Sequence, residues 1–222
     1  MSIFNSDSEI VAAAQRAAAP PDGPPPPAEP CRLPWRSMAR WGLVAIVAIT
    51  LALLARAFVV QLYAVPSASM SPAIERGDRI VVNKLSYRLH GPNRGDVVVF
   101  ARPPEAVDVF AEGSTDDLVK RVIGLPGETL VIRDDHVEID GRVLDEPWLV
   151  PGTVTRIWER EKHYTHSCTP EDPCPVPAGT VWVMGDNRGG SQDSRYFGPV
   201  PEDRVIGRAT AVYWPWAHHK GL

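Results

Sequence analysis

Two residues of this chain have the side chains needed for acyl-transfer chemistry. Ser69 lies in the segment Val-Pro-Ser-Ala-Ser-Met-Ser-Pro (65–72), a few residues beyond a long apolar run, and Lys120 lies among apolar residues in Leu-Val-Lys-Arg-Val-Ile (118–123). A serine hydroxyl needs a positioned base near neutral pH. A lysine can be that base if burial lowers its pKa from about 10.4 to about 7.5, which costs about 4 kcal/mol. The pair predicts a nucleophile and a base near a bilayer, although spacing alone favours an ordinary exposed lysine on a strand.

Histidine is the alternative base, as part of a Ser-His-Asp arrangement. The histidines fall in loops, in a hairpin, in an irregular region or near the C-terminus, at His90, His136, His163, His166, His218 and His219. None lies in a motif that resembles the histidine site of a serine protease. The sequence leaves a histidine base open but gives it no support.

The apolar run that precedes Ser69 predicts a membrane anchor. Residues 41–55 carry no charge, but as a helix they would span only about 22 Å. The helix must continue to Tyr63 to cross a hydrocarbon core of about 30 Å, with Arg56 snorkelling toward the outer headgroups. Arginines just before the run favour a cytoplasmic N-terminus. We expect one retained signal-anchor helix over 35–63, and the long leader argues against the alternative, a cleaved signal peptide.

The segments on either side of this span differ in composition. Residues 1–34 are rich in alanine and proline, which predicts a disordered cytoplasmic tail that is either a solvated spacer or a ligand for a proline-binding domain. Residues 64–217 carry short strand patterns separated by Gly, Pro and Asp, with a hairpin signal at Asp134-Asp135, an irregular insertion at about 129–178 and a short tail at 218–222. The predicted fold class is mostly β, with an N-terminal transmembrane helix followed by an extracytoplasmic antiparallel β-sheet catalytic domain that carries an irregular inserted subdomain.

Charge and cysteine content limit the classes of partner. The net charge of −4 is close to balanced, so nucleic acid is not an expected partner. Cys168 and Cys174 lie six positions apart and could form a disulfide if this part of the chain is outside the cytoplasm, whereas Cys31 would stay reduced inside. The pair alone does not decide the compartment.

Four blocks, in the same order, closely resemble type I signal peptidases, the membrane-bound serine proteases that remove signal peptides. The first is Pro-Ser-Ala-Ser-Met-Ser-Pro at 66–72. The others are 77–84 together with 94–100, then 120–128, and finally the glycine-rich segment 185–198. The resemblance covers roughly Trp41 to Trp216. A single block could arise by chance, but four in order predict membership of the family.

The resemblance implies a role for each matching residue. Ser69 would attack the scissile carbonyl, and neutral Lys120 would take its proton and later activate the deacylating water. The Ser67 hydroxyl and the Ser69 backbone N–H would form the oxyanion hole. Ser191 would hydrogen-bond Lys120 and fix its rotamer. The remaining matches are supporting residues, of which the last two would form an ion pair: Arg121, Asp186, Asp193 and Arg195.

Two further features bear on the resemblance. Ala68 stands where the family more often has glycine, so position 68 must avoid a positive φ. Ser71 stands where a second methionine is frequent. The Cys168–Cys174 spacing resembles a disulfide in the insertion of some family members. A zinc set is the alternative and would use His163, His166, Cys168 and Cys174.

The sequence therefore predicts a single-pass plasma-membrane endopeptidase that removes N-terminal signal peptides from secreted preproteins. It would cleave after small residues in an Ala-x-Ala-like site through an acyl-enzyme. Its expected partners are preprotein signal peptides and the lipid bilayer, with the secretion translocon as a further candidate, and no cofactor or metal is expected. Two rivals remain: a Ser-Lys protease resembling self-cleaving repressors, and a non-catalytic membrane-anchored β-rich binding module.

Overall fold

The computed structural model describes residues 35–106, 116–155 and 166–222, without the side chains of residues 36, 37, 54–58, 89 and 105. The predicted tail 1–34, with Cys31, and part of the predicted insertion, with His163, lie outside these ranges. The chain divides into two compact units, Met1–Val47 and Ala48–Leu222. The second unit holds every strand described below.

Helix α1 spans Trp35–Phe58. Its large apolar side chains are exposed at successive positions, with Leu43, Val44, Ile46 and Val47 all between 49% and 63% accessible. Because an α-helix has 3.6 residues per turn, these positions cover more than one face of the helix. Within the residues that the structure describes, no helix combines the length and the hydropathy needed to cross a membrane.

The helix predicted over 35–63 is shorter in the structure, because its last residues form a strand. Strand β1 spans Val60–Ala64 and pairs antiparallel with β2, Arg79–Asn83. Its residues alternate between exposed and half-buried, which is the two-residue period of a strand with one covered face. Valine, leucine and tyrosine are also compatible with an edge strand. Local propensity and pairing with β2 therefore end the helix at Phe58.

The larger sheet is antiparallel and contains eight strands among the described residues, in the order β1-β2-β11-β3-β4-β9-β10, with β12 paired to β11. Its remaining strands are β3 Val97–Ala101, β4 Asp117–Gly124, β9 Thr180–Met184, β10 Val200–Pro201, β11 Val205–Trp214 and β12 Lys220–Gly221. Register shifts interrupt the pairing of β11 with both β2 and β3, and the pairing of β4 with β9. Such irregularities bend a sheet locally. This is the mostly β, antiparallel fold that the sequence predicts.

A smaller antiparallel sheet lies between β4 and β9 in the chain. Its order is β7-β6-β5-β8, and its strands are β5 Thr129–Arg133, β6 His136–Ile139, β7 Arg142–Val143 and β8 Cys174–Pro175. The hairpin predicted at Asp134-Asp135 is confirmed, since both aspartates have positive φ, 48° and 65°, and join β5 to β6. The whole sheet falls within the range 129–178 assigned to the insertion, which is therefore partly regular rather than irregular throughout.

Buried side chains of the two sheets and of the loop after β1 form the core. The largest fully buried side chains include Trp182, Phe100, Met70, Ile74 and Ile80. Short helices α2 (Ser86–Leu89) and α3 (Ser194–Phe197) and three 3-10 turns, Pro104–Ala106, Glu202–Arg204 and Trp216–His218, connect the strands. Strand β4, which carries Lys120, pairs with β3 on one side and β9 on the other. Its interior position makes it a rigid support for a functional side chain.

Candidate active site

The loop that carries Ser69 is held at both ends and anchored in the core. The backbone N–H of Val65 donates to Asp78 O at 2.8 Å, and that of Gly77 donates to Val65 O at 2.8 Å. Within the loop, Met70 and Ile74 have no exposed surface. These contacts present the Ser69 side chain from a fixed turn, in which Ser69 itself is only 8% exposed.

Lys120 faces this turn from β4. It pairs in register with Val98 of β3 and is only 3% exposed. Its Nζ donates a hydrogen bond of 2.7 Å to Ser69 Oγ, although the two residues are 51 positions apart. The structure thus excludes the ordinary exposed strand lysine that spacing alone favours.

Burial lowers the pKa of Lys120 to about 8. Desolvation is the largest cause, because a charged ammonium is disfavoured where water is excluded. Asp193 and Asp186 oppose this by favouring the charged form, while Arg195 adds to the lowering. A lysine with a pKa near 8 is partly neutral at physiological pH. It can accept a proton along the same 2.7 Å contact.

Ser67 lies beside the nucleophile candidate, with its Oγ 3.3 Å from Ser69 Oγ. A hydroxyl at this place is within reach of an oxygen on a carbonyl attacked by Ser69. Ala68 is not among the residues with a positive φ, so the alanine that departs from the family pattern is accommodated without backbone strain.

The expected hydrogen bond from Ser191 to Lys120 is not formed. Ser191 Oγ is buried but has no hydrogen-bond partner among the described residues. Nζ of Lys120 is directed at Ser69 instead. The Ser191 side chain packs against Gly185, where an added Cβ would lie 2.2 Å from its Oγ.

Two buried ion pairs hold the segments around the dyad. Arg121 donates from Nε and Nη2 to the two carboxylate oxygens of Asp186, at 2.8 and 2.6 Å. Arg195 does the same to Asp193, at 2.8 and 2.9 Å, and both of those side chains are fully buried. Such two-pronged pairs fix orientation as well as charge. The Arg195 guanidinium, with further hydrogen bonds, lowers the pKa of Asp193 despite its burial.

Comparison with known proteins points to one family. The family model described as "Signal peptidase, peptidase S26" matches residues 38–214. Signal peptidase I of Leptolyngbya laminosa is 39% identical over 75% of this chain and 75% of its own length. Signal peptidase I T of Bacillus subtilis is 37% identical over 79% of this chain and 85% of its own, and probable signal peptidase I-1 of Synechocystis sp. is 37% identical over 84% and 87%.

The chain belongs to the signal peptidase family. This confirms the sequence-based prediction of a type I signal peptidase, a serine endopeptidase that removes signal peptides. The family match begins at residue 38, within α1, and ends at Trp214, the last residue of β11. It therefore includes both Ser69 and Lys120.

The sequence alone did not identify two residues that contact the Ser69 loop, Asn187 and Gly185, or a third, Arg188, that contacts Gly185. Asn187 donates its backbone N–H to Ser69 O at 3.1 Å and its Nδ2 to Ala68 O at 3.2 Å. An added Cβ on Gly185 would lie 2.4 Å from Ser69 O. Arg188 is buried and donates from Nε to Gly185 O at 3.2 Å. All three stand in the glycine-rich block 185–198, which was the available signal, but the sequence does not show which of its members face Ser69.

Cys168 and Cys174 are joined as a disulfide in the structure. Among the residues described, no three or more His, Cys, Asp or Glu side chains are gathered as a metal site would require. The zinc alternative includes His163, which lies outside the described residues. A bonded pair of sulfurs has no thiolate to offer a metal.

Proposed function

We propose that this chain cleaves signal peptides from secreted preproteins with Ser69 as nucleophile and Lys120 as general base. The observation that carries the proposal is the 2.7 Å contact between Lys120 Nζ and Ser69 Oγ, made by a lysine whose pKa is about 8. The family assignment supplies the reaction class, and the contact supplies the two reacting groups. The cleavage site is an Ala-x-Ala-like sequence, whose small side chains fit shallow pockets beside a sheet.

The first half of the reaction forms an acyl-enzyme. Neutral Lys120 accepts the hydroxyl proton of Ser69 as Oγ attacks the scissile carbonyl carbon. The resulting oxyanion accepts hydrogen bonds from the Ser69 backbone N–H and the Ser67 hydroxyl. The ammonium of Lys120 then gives its proton to the leaving amine. The new N-terminus of the mature protein departs, and the signal peptide remains esterified to Ser69.

The second half releases the signal peptide. Lys120 is neutral again and accepts a proton from a water molecule that attacks the ester carbonyl. It returns this proton to Ser69 Oγ as the C–O bond breaks. The buried pairs Arg121–Asp186 and Arg195–Asp193 keep the surrounding segments in place. No cofactor is needed for this sequence of steps.

Although no described helix has by itself the length and hydropathy of a membrane span, we also propose that α1 belongs to a single-pass anchor with a cytoplasmic N-terminus, so that the catalytic domain is extracytoplasmic. Its apolar side chains are exposed where the described helix is free of charged residues, from Trp41 to Leu53. A substrate held in the same bilayer would meet Ser69 in one plane, which raises the effective concentration. The domains are then a cytoplasmic tail (1–34), the anchor, and a peptidase domain to about residue 217 with its insertion at about 129–178. The translocon is the candidate neighbour that delivers preproteins.

This topology predicts different redox states for the three cysteines. In protein purified from its own membrane with free thiols alkylated at lysis, Cys31 should carry one label, and Cys168 and Cys174 should carry none until reduction. Intact mass before and after reduction measures this, and Cys31 is the internal control for complete labelling. Two labelled cysteines in the 168–174 segment before reduction would contradict the bridge that this topology predicts.

The function is tested with a purified secretory preprotein and the full chain in detergent. We expect wild type to release a mature protein with the N-terminus that follows the Ala-x-Ala-like site, and Ser69→Ala to release none above background. A preprotein with a large charged residue in place of the small residue before the cut is the matched substrate control. Equal products from wild type and Ser69→Ala would refute Ser69 as nucleophile. No cleavage by folded wild type would favour the binding module.

The pKa of Lys120 predicts an acidic limb in the pH–rate profile. Because Lys120 must be neutral to act, kcat/KM rises with pH and levels off above about 8. Below that midpoint it should fall about tenfold for each pH unit. The measurement is kcat/KM between pH 5 and 9, in the range where the folded fraction is constant. A flat profile would rule out a lysine base with this pKa.

A further inference from the structure

One short segment of the insertion contacts both the block that carries Lys120 and the glycine-rich block, which in turn contacts the Ser69 loop. It is Glu146-Pro147-Trp148, which follows β7, and we call it the EPW segment. Glu146 pairs with Arg188 of the glycine-rich block. Trp148 lies over Arg121, the residue after Lys120. The reaction steps above use neither Glu146 nor Trp148.

The first contact is a buried, two-pronged ion pair. Nη1 of Arg188 donates to Glu146 Oε2 at 3.0 Å and Nη2 donates to Oε1, and Nη1 also donates to Thr155 Oγ1 at 2.5 Å. The side chains of Arg188 and Glu146 are 1% and 11% exposed. Nε of Arg188 donates to Gly185 O at 3.2 Å. The insertion thus fixes a guanidinium that in turn holds the start of the glycine-rich block.

The second contact covers Arg121, a second buried arginine near the dyad. The Arg121 guanidinium lies 5.2 Å from the centre of the Trp148 ring, within the range of a cation–π contact. Nη1 of Arg121 donates to Gly95 O at 2.8 Å. The Trp148 ring also packs against Gly95, where an added Cβ would lie 3.1 Å from the ring. Trp148 therefore covers Arg121 in the orientation in which Arg121 binds Asp186.

The two contacts converge on Ser69 through the glycine-rich block. Gly185, whose carbonyl accepts a hydrogen bond from Arg188, lies very close to the Ser69 backbone: an added Cβ would be 2.4 Å from Ser69 O. Asp186, held by Arg121, precedes Asn187, whose backbone N–H donates to the same Ser69 oxygen. A shift of either arginine is therefore passed on to the backbone of the nucleophile.

We propose that the EPW segment is a positioning element, in which Glu146 and Trp148 set the geometry of the Ser69–Lys120 dyad by clamping Arg188 and Arg121. This rests on the proposed function, since it concerns the same dyad. Neither residue touches the reacting atoms. The clamp makes the insertion part of the catalytic apparatus rather than an appendage of the sheet.

The test compares glutamate variants within the insertion. Glu146→Gln removes the charge that pairs with Arg188, and Glu138→Gln is the matched control. Glu138 also has an 11% exposed side chain and also pairs with an arginine, Arg133, which is exposed and does not touch the glycine-rich block in the contacts described here. We expect Glu146→Gln to lower kcat about 10- to 100-fold with KM changed less than about twofold, because misplacement of reacting groups acts on the chemical step. Glu138→Gln should change both less than about twofold.

The pH profile separates positioning from a loss of folded protein. Lys120 is surrounded by the charges of Asp193, Arg195 and Asp186, with Arg121 paired to the last of these. Loosening the contact between Trp148 and Arg121 admits water and leaves Asp186 less compensated, and both changes favour the ammonium. The acidic limb should therefore move to higher pH in Trp148→Leu. Glu146→Gln instead removes a negative charge and leaves Arg188 without its carboxylate partner, which disfavours a nearby ammonium, so for that variant the split between kcat and KM carries the test. A loss of stability alone lowers the rate at every pH and leaves the midpoint in place.

All rates are taken per folded molecule, with thermal unfolding followed in parallel. If Glu146→Gln does not fold, Glu146→Asp carries the test: it keeps a negative charge beside Arg188, and its shorter side chain should lower kcat about threefold or more with KM nearly unchanged. Unchanged kcat and midpoint in the folded Glu146 and Trp148 variants would overturn the proposal while the proposed function stands. An inactive wild type is instead a failure of the proposed function itself, and it removes the proposal with it.

Discussion

Replacing Lys120 by methionine is expected to lower kcat about 100- to 10,000-fold, the range typical for removal of a general base. Methionine fills a similar volume in the 3% exposed site but cannot take the proton of Ser69. Lys120→Arg should be equally inactive, because a guanidinium stays protonated at any pH of the assay. Together the two variants distinguish a base from a mere positive charge. The measurement is kcat on a purified preprotein.

The same substitution is expected to stabilise the fold. Lys120 has a pKa of about 8 in the folded chain against 10.5 as its ordinary value, so below pH 8 the folded state must carry a charge that burial disfavours. This penalty, up to about 3 kcal/mol, is fully present below pH 8 and disappears as the pH rises through 10.5. After allowance for the lost hydrogen bond to Ser69, Lys120→Met should raise the free energy of unfolding at pH 7 by about 1–2 kcal/mol.

Lys84→Met, at a half-buried lysine just after β2, is the control for general effects of lysine removal. It should change kcat less than about twofold. Urea unfolding at pH 7 and pH 10 measures the stability effect. Wild type should gain stability between these pH values, and Lys120→Met should gain less. Substantial cleavage by Lys120→Met, or by Lys120→Arg, would show that another group is the base.

Gly185→Ala is expected to remove most activity although it adds a single methyl group. The new Cβ would lie 2.2 Å from Ser191 Oγ, 2.5 Å from Ser191 Cβ and 2.4 Å from Ser69 O. Carbon atoms do not approach other atoms so closely, so the loop must move away from Ser69. A shift of this size should lower kcat about 100-fold, and the overpacking should cost about 1–3 kcal/mol of stability. The φ of Gly185 is ordinary, so only space, and not backbone freedom, requires glycine here.

Gly189→Ala is the matched control in the same block, because a Cβ there meets no atom within 4 Å and its φ is also ordinary. It should leave kcat within about twofold of wild type. Gly185→Ala combined with Ser191→Gly removes the clash with Ser191 but keeps the one with Ser69 O, so it should recover only part of the activity. A fully active Gly185→Ala would show that this loop adjusts without moving the dyad.

Features with a short period along the chain could be predicted from the sequence. Short runs rich in β-branched residues, separated by Gly, Pro and Asp, predicted a chain of strands, and the Asp134-Asp135 turn was recognisable because aspartate tolerates positive φ. The end of α1 was predicted too late, since an apolar run does not reveal that its last residues pair with β2. Periodicity reports local structure, and the choice between helix and strand at such a boundary depends on a distant partner.

The dyad itself could be predicted only because its two residues sit in blocks that resemble a known family. In the sheet order β1-β2-β11-β3-β4, the strand of Lys120 is not a neighbour of β1 or β2, so the loop after β1 has to reach across to make the contact with Lys120. The pair of Glu146 and Arg188 could not be predicted, because the two residues are 42 positions apart and neither lies in a regular pattern. Ser191 shows the opposite error. The sequence placed it correctly in the block near the dyad, but the predicted hydrogen bond from Ser191 to Lys120 is not formed in the structure.

Strands β4 and β9 are neighbours in the larger sheet, so the chain leaves this sheet at Gly124 and re-enters it beside the same strand at Thr180. The cost of closing such a loop grows only slowly with its length. The length of this part of the chain can therefore change without disturbing the register of the catalytic sheet. The constraint lies in the EPW segment: a change that keeps Glu146 and Trp148 in place can alter what surrounds the active site while the dyad keeps its supports.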